Sequence, residues 1–280
     1  MSRFKYSYNA IVYSQEPIAK SFDRLSRFGY DAIELIGETD QDVTEINRLK
    51  SDTGIEVSSI CSIWSGDRDL VNPAATIRQK GIDYGKSMAD FAASVGAPTI
   101  IVGPSPVGKT SALESDEQEW AWAVENVREI GQYAASVGVD ITLECWNRYE
   151  TYFLNTLDKA VRLVEATGLS NAGVHGDMFH MNIEEKSIDG AFRDAGRHLN
   201  HVHAVDSNRA APGAGHIDFV PTVQALKDID YSGYVTFELL PASADPFAMI
   251  ARNGHLEFLD EYTELAIRTL KAAEDKVSGQ

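Results

Sequence analysis

Short β-branched runs alternate with longer amphipathic stretches from one end of this chain to the other, and nothing else in the sequence limits its fold as strongly. The runs are KYSYNAIVY (5–13), DAIELI (31–36), IEVSSICSI (55–63), PTIIVG (98–103), DITLECW (140–146), AGVHGDM (172–178), LNHVHAV (199–205) and YVTFELL (234–240). Strand, then helix, then strand again is the pattern of a parallel sheet joined by crossover helices. Ile82, Met88, Phe91 and Ala92 fall near a 3.6-residue repeat, as do Trp120, Val124, Val127 and Ile130. Ser115 with Gln118 forms a capping-box pattern, and Gly138 and Gly168 stand where helices would stop. Eight such units predict a single (β/α)8 TIM barrel. An open doubly wound sheet would carry a glycine-rich fingerprint after its first strand, and YNAIVYSQE has none. No linker or break in composition divides residues 1–280, which are therefore read as one domain. The stretch 241–254 is longer than an ordinary connection and is expected to run over one barrel end.

Charge narrows the partners. Lys and Arg number 25 against 42 Asp and Glu, a formal charge of −17, which disfavours phosphate backbones and anionic membrane surfaces. A hydrophobic content of 44% with 24% charged residues excludes a disordered chain. No apolar run is long enough to span a bilayer, and the first residues lack a secretory pattern. Cys61 and Cys145 are too few for a disulfide framework, so a reducing, cytoplasmic setting is expected.

Barrel strands are covered on both faces, so a charge inside one is expensive unless it is paired, bound to a metal or placed at the carboxyl end. Side chains alternate along a strand. In ITLECW, Thr142 and Glu144 therefore oppose Ile141, Leu143 and Cys145. The same parity sets Thr236 and Glu238 against Val235 and Phe237, and His201 and His203 against Val202 and Ala204. In the sixth run Gly173, His175 and Asp177 share a face. Glu144, Asp177, His203 and Glu238 thus all lie near the carboxyl ends of strands five to eight, where barrel loops build active sites. Three carboxylates meeting in a pocket of low dielectric would repel one another, and a divalent cation would satisfy them together. Donors rich in oxygen with one nitrogen suit Mn²⁺, Mg²⁺ or Co²⁺ better than a thiolate-seeking metal. Separate structural ion pairs are the competing account for any one of the four.

The stretches LECWNRYETYFLNT (143–156), GDMFHMNIEE (176–185), HVHAVDSNRAAPGAGHIDF (201–219) and YVTFELL (234–240) resemble the ketose 3-epimerases that act on D-tagatose and D-psicose, within the xylose isomerase-like sugar phosphate isomerase/epimerase superfamily. The resemblance implies that Glu144, Asp177, His203 and Glu238 are metal ligands, with Glu144 and Glu238 also the catalytic acid and base. It implies that Glu150, His180 and Arg209 hydrogen-bond a sugar substrate, and that the protein is a homodimer or homotetramer. SIWSGDRDLVNP (62–73) is similar instead to inosose and hydroxypyruvate isomerases. The chain also resembles C-glycoside deglycosidases, lyases that eliminate an aglycone from a 3-oxo sugar and work with a small second subunit. Epimerisation, isomerisation and elimination share one event, removal of a proton beside a carbonyl, which needs a positioned base and a stabilised oxyanion.

Gly103 to Thr110, GPSPVGKT, has the spacing of a phosphate-binding loop. Pro104 and Pro106 remove two of the amide donors such a loop requires, and the next helix is expected only near Ser115. Lys109 is accordingly read as a solvated loop lysine or a substrate contact, and the acidic run ESDEQE (114–119) as a solvated face. Glu34 is expected to meet either substrate or a neighbouring base. His201 and His175 are read as supports for the metal site or as core histidines, His198 as a surface residue, and His216 as part of the loop that positions Arg209. Asp206 and Arg209 form an ion pair in one reading; in the other the Arg209 fork grips ligand hydroxyls. Trp64, Trp146, Tyr149 and Phe179 either wall a sugar's C–H face or pack in the core.

Overall fold

The computed structural model describes residues 4–38 and 41–279. Strands β1 (Lys5–Asn9), β2 (Ala32–Gly37), β3 (Glu56–Ser62), β4 (Thr99–Val102), β5 (Asp140–Glu144), β6 (Ala172–Asp177), β7 (Leu199–His203) and β8 (Tyr234–Phe237) pair in chain order. β8 runs parallel to β1 and closes the barrel. Each predicted strand is found, several with an earlier end. The run at 5–13 stops at Asn9, whose side chain accepts a hydrogen bond from the Ile11 amide and turns AIVY into a short 3₁₀ helix.

The helices are α1 (Ile18–Phe28), α2 (Val43–Thr53), α3 (Ala75–Val95), α4 (Asp116–Ser136), α5 (Leu157–Thr167), α6 (Met178–Glu184), α7 (Ile188–Ala195), α8 (Phe219–Asp228), α9 (Pro246–Ala251) and α10 (Asp260–Ser278). Ser115 caps α4 by accepting from the Gln118 amide, and Gly168 ends α5 with φ of 69°. Ile82, Met88 and Ala92 of α3 and Val127 and Ile130 of α4 are buried, while Phe91, Trp120 and Val124 lie at the edge of the same core. Together with Ile141 and Leu143 on the barrel's outer face they fill the layer between strands and helices. Each large apolar side chain buried there contributes roughly 1.5–3 kcal/mol, so this layer carries the stability of the fold.

Many barrels fill their interior with branched apolar residues. Here the inward positions include Ser7, Ser58, Thr142, His175, His201 and Thr236, all buried. Ser7 and Ser58 join their hydroxyls at 2.7 Å. The stretch 241–254 contains α9 and reaches the C-terminal end of the barrel, where Phe247 lines a cleft with Ile11 and Ile63. His255, just beyond it, donates to the Val12 carbonyl at 2.8 Å.

Candidate active site

Strands β5 to β8 deliver four side chains to one point. Glu144, Asp177 and His203 end β5, β6 and β7, and Glu238 follows β8 directly. One donor atom from each lies within 4.8 Å of all the others. Asp177 spends Oδ1 on capping α6, 2.7 Å from the Phe179 amide, which leaves Oδ2 without a hydrogen-bond partner. His203 Nδ1 stands 3.6 Å from both Asp177 Oδ2 and Glu238 Oε2 and is also unpartnered. A buried polar atom left unpaired costs about 1–3 kcal/mol, and a divalent cation would satisfy both atoms at once. This buried group of three carboxylates and one imidazole fits a metal ion, and its oxygen-rich donor set suits a hard divalent cation.

The four groups are not electrostatically alike. Burial, reinforced by the Glu238 charge, pushes the Glu144 carboxyl well above the usual carboxylate range. Burial also opposes ionisation of Asp177, but His180, His203 and Arg209 prevail and hold it down to about 2. Glu238 is lowered as well, with His203 and Arg209 outweighing burial. Glu144 keeps 5% of its surface exposed and Glu238 7%, whereas Asp177 and His203 keep none. The two glutamates therefore stand on the open side of the cluster.

Glu34 lies behind His203, fully buried. Its Oε1 accepts from His203 Nε2 at 2.9 Å and from Asn9 Nδ2 at 2.7 Å. Its Oε2 accepts from His201 Nε2 at 2.8 Å and from Ser59 Oγ at 2.5 Å. Burial disfavours this charge, yet the two imidazoles overcome it and hold the carboxyl far below its ordinary value. Of the two expectations for Glu34, pairing with a neighbouring base is the one observed. His203 gives its Nε2–H to Glu34 and so turns Nδ1 toward the cluster, an orientation common behind metal-binding histidines. His201 supports the same carboxylate. His175 packs its ring 4.0 Å from that of His203, and neither of its nitrogens has a partner.

Glu150, His180 and Arg209 converge beside the cluster. The Asn147 amide donates into His180 Nδ1 at 3.2 Å, so the proton sits on Nε2, which is unpartnered and 3.9 Å from Asp177 Oδ2. Burial lowers the His180 pKa. The Arg209 guanidinium reaches Glu150 and Glu238 at 3.4 Å each and lies 4.8 Å from the centre of the Phe179 ring. Its backbone is left-handed, φ 64°, a strained geometry of the kind that gathers at functional sites. The Asp206–Arg209 ion pair is not the arrangement found. Asp206 instead accepts from the amides of Ser207, Gly213 and Ile217 and ties down the loop that aims Arg209 inward.

Residues 22–262 match the xylose isomerase-like TIM barrel family. The chain belongs to that family. It is 31% identical to a D-psicose 3-epimerase of Ruminiclostridium cellulolyticum over 77% of this chain and 76% of that one. It is 28% identical to a 3-dehydro-D-guloside 4-epimerase of Escherichia coli over 82% of this chain and 90% of the other. Among solved structures, D-psicose 3-epimerase with D-tagatose from Clostridium cellulolyticum superposes with a TM-score of 0.86 at 27% identity, covering 96% of this chain and 99% of that one. The relatives of this xylose isomerase-like barrel are thus sugar epimerases.

Two expectations for this family member need correction. Lys109 is not solvated: its side chain is 9% exposed and bridges Asp69 at 2.9 Å and Glu119 at 2.8 Å. Glu119, within the supposedly solvated ESDEQE run, is fully buried. The rejection of a phosphate-binding loop holds, since α4 begins at Asp116 and Gly103 serves packing. A Cβ there would come within 2.1 Å of the Trp146 ring. Trp64 and Trp146 are buried, Phe179 faces Arg209, and Tyr149 is 75% exposed and so does not pack in the core. His198 is half-buried near Glu165, and His216 bonds Ser207 in the Asp206 loop. Asn9, Ser59 and Asn147 were not singled out by the sequence, although Asn9 shares the inward parity of Ser7.

Proposed function

We propose that this protein is a divalent-metal-dependent ketose 3-epimerase. The observation that carries the reading is the pair of buried, unpartnered donors, Asp177 Oδ2 and His203 Nδ1, within reach of two glutamates on the open side of the site. Glu144, Asp177, His203 and Glu238 would hold the cation, Mn²⁺ in the first place and Mg²⁺ or Co²⁺ otherwise. When bound, the ion supplies Lewis-acid stabilisation of the oxyanion that develops as a proton leaves the carbon beside a carbonyl.

The protein's own groups account for the proton transfers. Without the cation, burial and the Glu238 charge raise the Glu144 carboxyl while His203 and Arg209 lower that of Glu238, so the two glutamates are not electrostatically equivalent. One of the two takes the proton from one face of the carbon and the other returns one from the opposite face, which inverts the centre. The reverse reaction exchanges their roles. Arg209, Glu150 and the Nε2–H of His180 orient the sugar through its hydroxyls. A second reading keeps the same residues but moves the reaction to C4 of a 3-oxo glycoside, and the likeness to the 3-dehydro-D-guloside 4-epimerase favours it.

Incubation in D₂O with Mn²⁺, with and without EDTA, separates the readings by NMR. Metal-dependent deuterium entry at C3 of fructose, tagatose or allulose, with its epimer appearing, supports the first. Exchange at C4 of a 3-oxo-glucoside alone supports the second, aglycone release alone would make the protein a lyase, and no exchange in either substrate class defeats both readings. The reading extends to a cytoplasmic homo-oligomer, in keeping with the two free, buried cysteines. Sedimentation checks the assembly state. No helix among the described residues is long and apolar enough to cross a membrane.

A further inference from the structure

Lys109 sits where three loops meet, and none of its partners belongs to the metal cluster. Asp69 comes from the loop after β3, Lys109 from the loop after β4, and Glu119 from the first turn of α4. Glu119 Oε1 accepts from the amides of Leu113 at 2.6 Å and Glu114 at 3.0 Å, while its Oε2 holds Lys109 Nζ and the Tyr152 hydroxyl. Burial would raise this carboxyl, but Lys109 and Tyr152 bring it below its ordinary value.

The same loop is laced to the loop after β5 through main chain. The Gly108 amide donates to the Glu150 carbonyl at 2.7 Å, and the Lys109 carbonyl accepts from the Tyr152 amide at 3.1 Å and from Thr151 Oγ1 at 3.4 Å. Gly108 has φ of 92°, a conformation that side-chain-bearing residues rarely adopt. Residues 108–109 thus brace 150–152 along the backbone, and Glu150 is the residue whose carboxylate meets Arg209.

A buried cation between two buried carboxylates is a poor source of net stability, because desolvating three charges offsets their attraction. Its effect is to fix geometry. We propose that Lys109, Asp69, Glu119 and Tyr152 form a clamp that holds the β5–α5 loop, and with it the Glu150 carboxylate, in the sugar-binding position. Lys109 is then a positioning residue. The proposal rests on the epimerase reading for the purpose of the clamp, but the clamp has a signature of its own.

Hydrogen exchange of the full-length protein, wild type against Lys109→Met and Tyr152→Phe, tests it alongside steady-state kinetics with Mn²⁺ and the ketose that turns over. In Lys109→Met the amides of 147–155 are expected to exchange about tenfold faster or more, with β5 to β8 unchanged. KM should rise about tenfold with a smaller fall in kcat, since binding geometry and not the proton donors is disturbed. Tyr152→Phe should show the same pattern more weakly, and it decides the question if Lys109→Met fails to fold. Lys109→Arg should restore part of the loss. Wild-type exchange at 147–155 in folded Lys109→Met, or in Tyr152→Phe where Lys109→Met does not fold, overturns the clamp. A wild-type protein without epimerase activity defeats the functional reading instead, and the exchange data still judge the clamp.

Discussion

The carboxyl ends of strands β5 to β8 present Glu144, Asp177, His203 and, just past β8, Glu238, whereas β1 to β3 carry Asn9, Glu34 and Ser59 beside them in the barrel. The late half presents atoms with no protein partner, Asp177 Oδ2 and His203 Nδ1, and the early half presents atoms that are fully engaged. Glu34 accepts from four side chains, and Asn9 divides its amide between Glu34 and Glu238, the latter at 3.2 Å. On the proposed reading, the donors left open belong to the half that receives the cation. Donors saturated among themselves mark the half that holds those ligand-facing groups in place.

That contrast is sharpest for the two glutamates on the open side. Glu144→Gln or Glu238→Gln is expected to lower kcat by about 10²–10⁴-fold, read by epimer formation. Either variant turning over at the wild-type rate would remove it from the proton-transfer pair. The Asp177→Ala, His203→Ala double variant should lose the rise in melting temperature that Mn²⁺ gives the wild type. An undiminished rise would place the ion elsewhere.

On the early side the effects should be graded. Glu34→Gln leaves all four proposed metal donors in place but weakens the partner of His203, so Mn²⁺ affinity should fall about 10–100-fold by calorimetry. Loss as complete as in the double variant would erase the distinction between the halves, and no loss would make Glu34 a bystander. Glu119 gives the smallest and most distant effect. Its folded-state pKa lies below the unfolded one, so its stabilisation is present above the ordinary glutamate range and lost as pH falls through the folded value. The melting temperature of the wild type should therefore drop more steeply on acidification than that of Glu119→Gln, and parallel curves would show that the carboxylate is not the group responsible.

The legibility of the sequence follows the same division. The barrel was readable because eight buried runs alternate with helical periods. The late residues were readable because a charge on the inward parity of a buried strand has few other uses. Asn9 obeys the same parity and Ser59 reaches Glu34 through a register shift between β2 and β3, but a neutral polar side chain can be satisfied in many ways and points to no particular partner. The end of β1 was misplaced for a related reason, since AIVY is as apolar as a strand and only the Asn9 side-chain bond turns it aside. Lys109 was the hardest case. Its partners at 69, 119 and 152 share no period with it, and a lysine among prolines, glycines and serines reads as solvated until the loops are folded together.

The proposed activity stands or falls with a single cation site built by the late strands from these four residues. Crystals grown with Mn²⁺ and measured for anomalous scattering test it most directly. A single strong peak bounded by Glu144, Asp177, His203 and Glu238 is expected; a peak among His175, His201 and His203 instead, or none inside the barrel, would overturn the four-residue site.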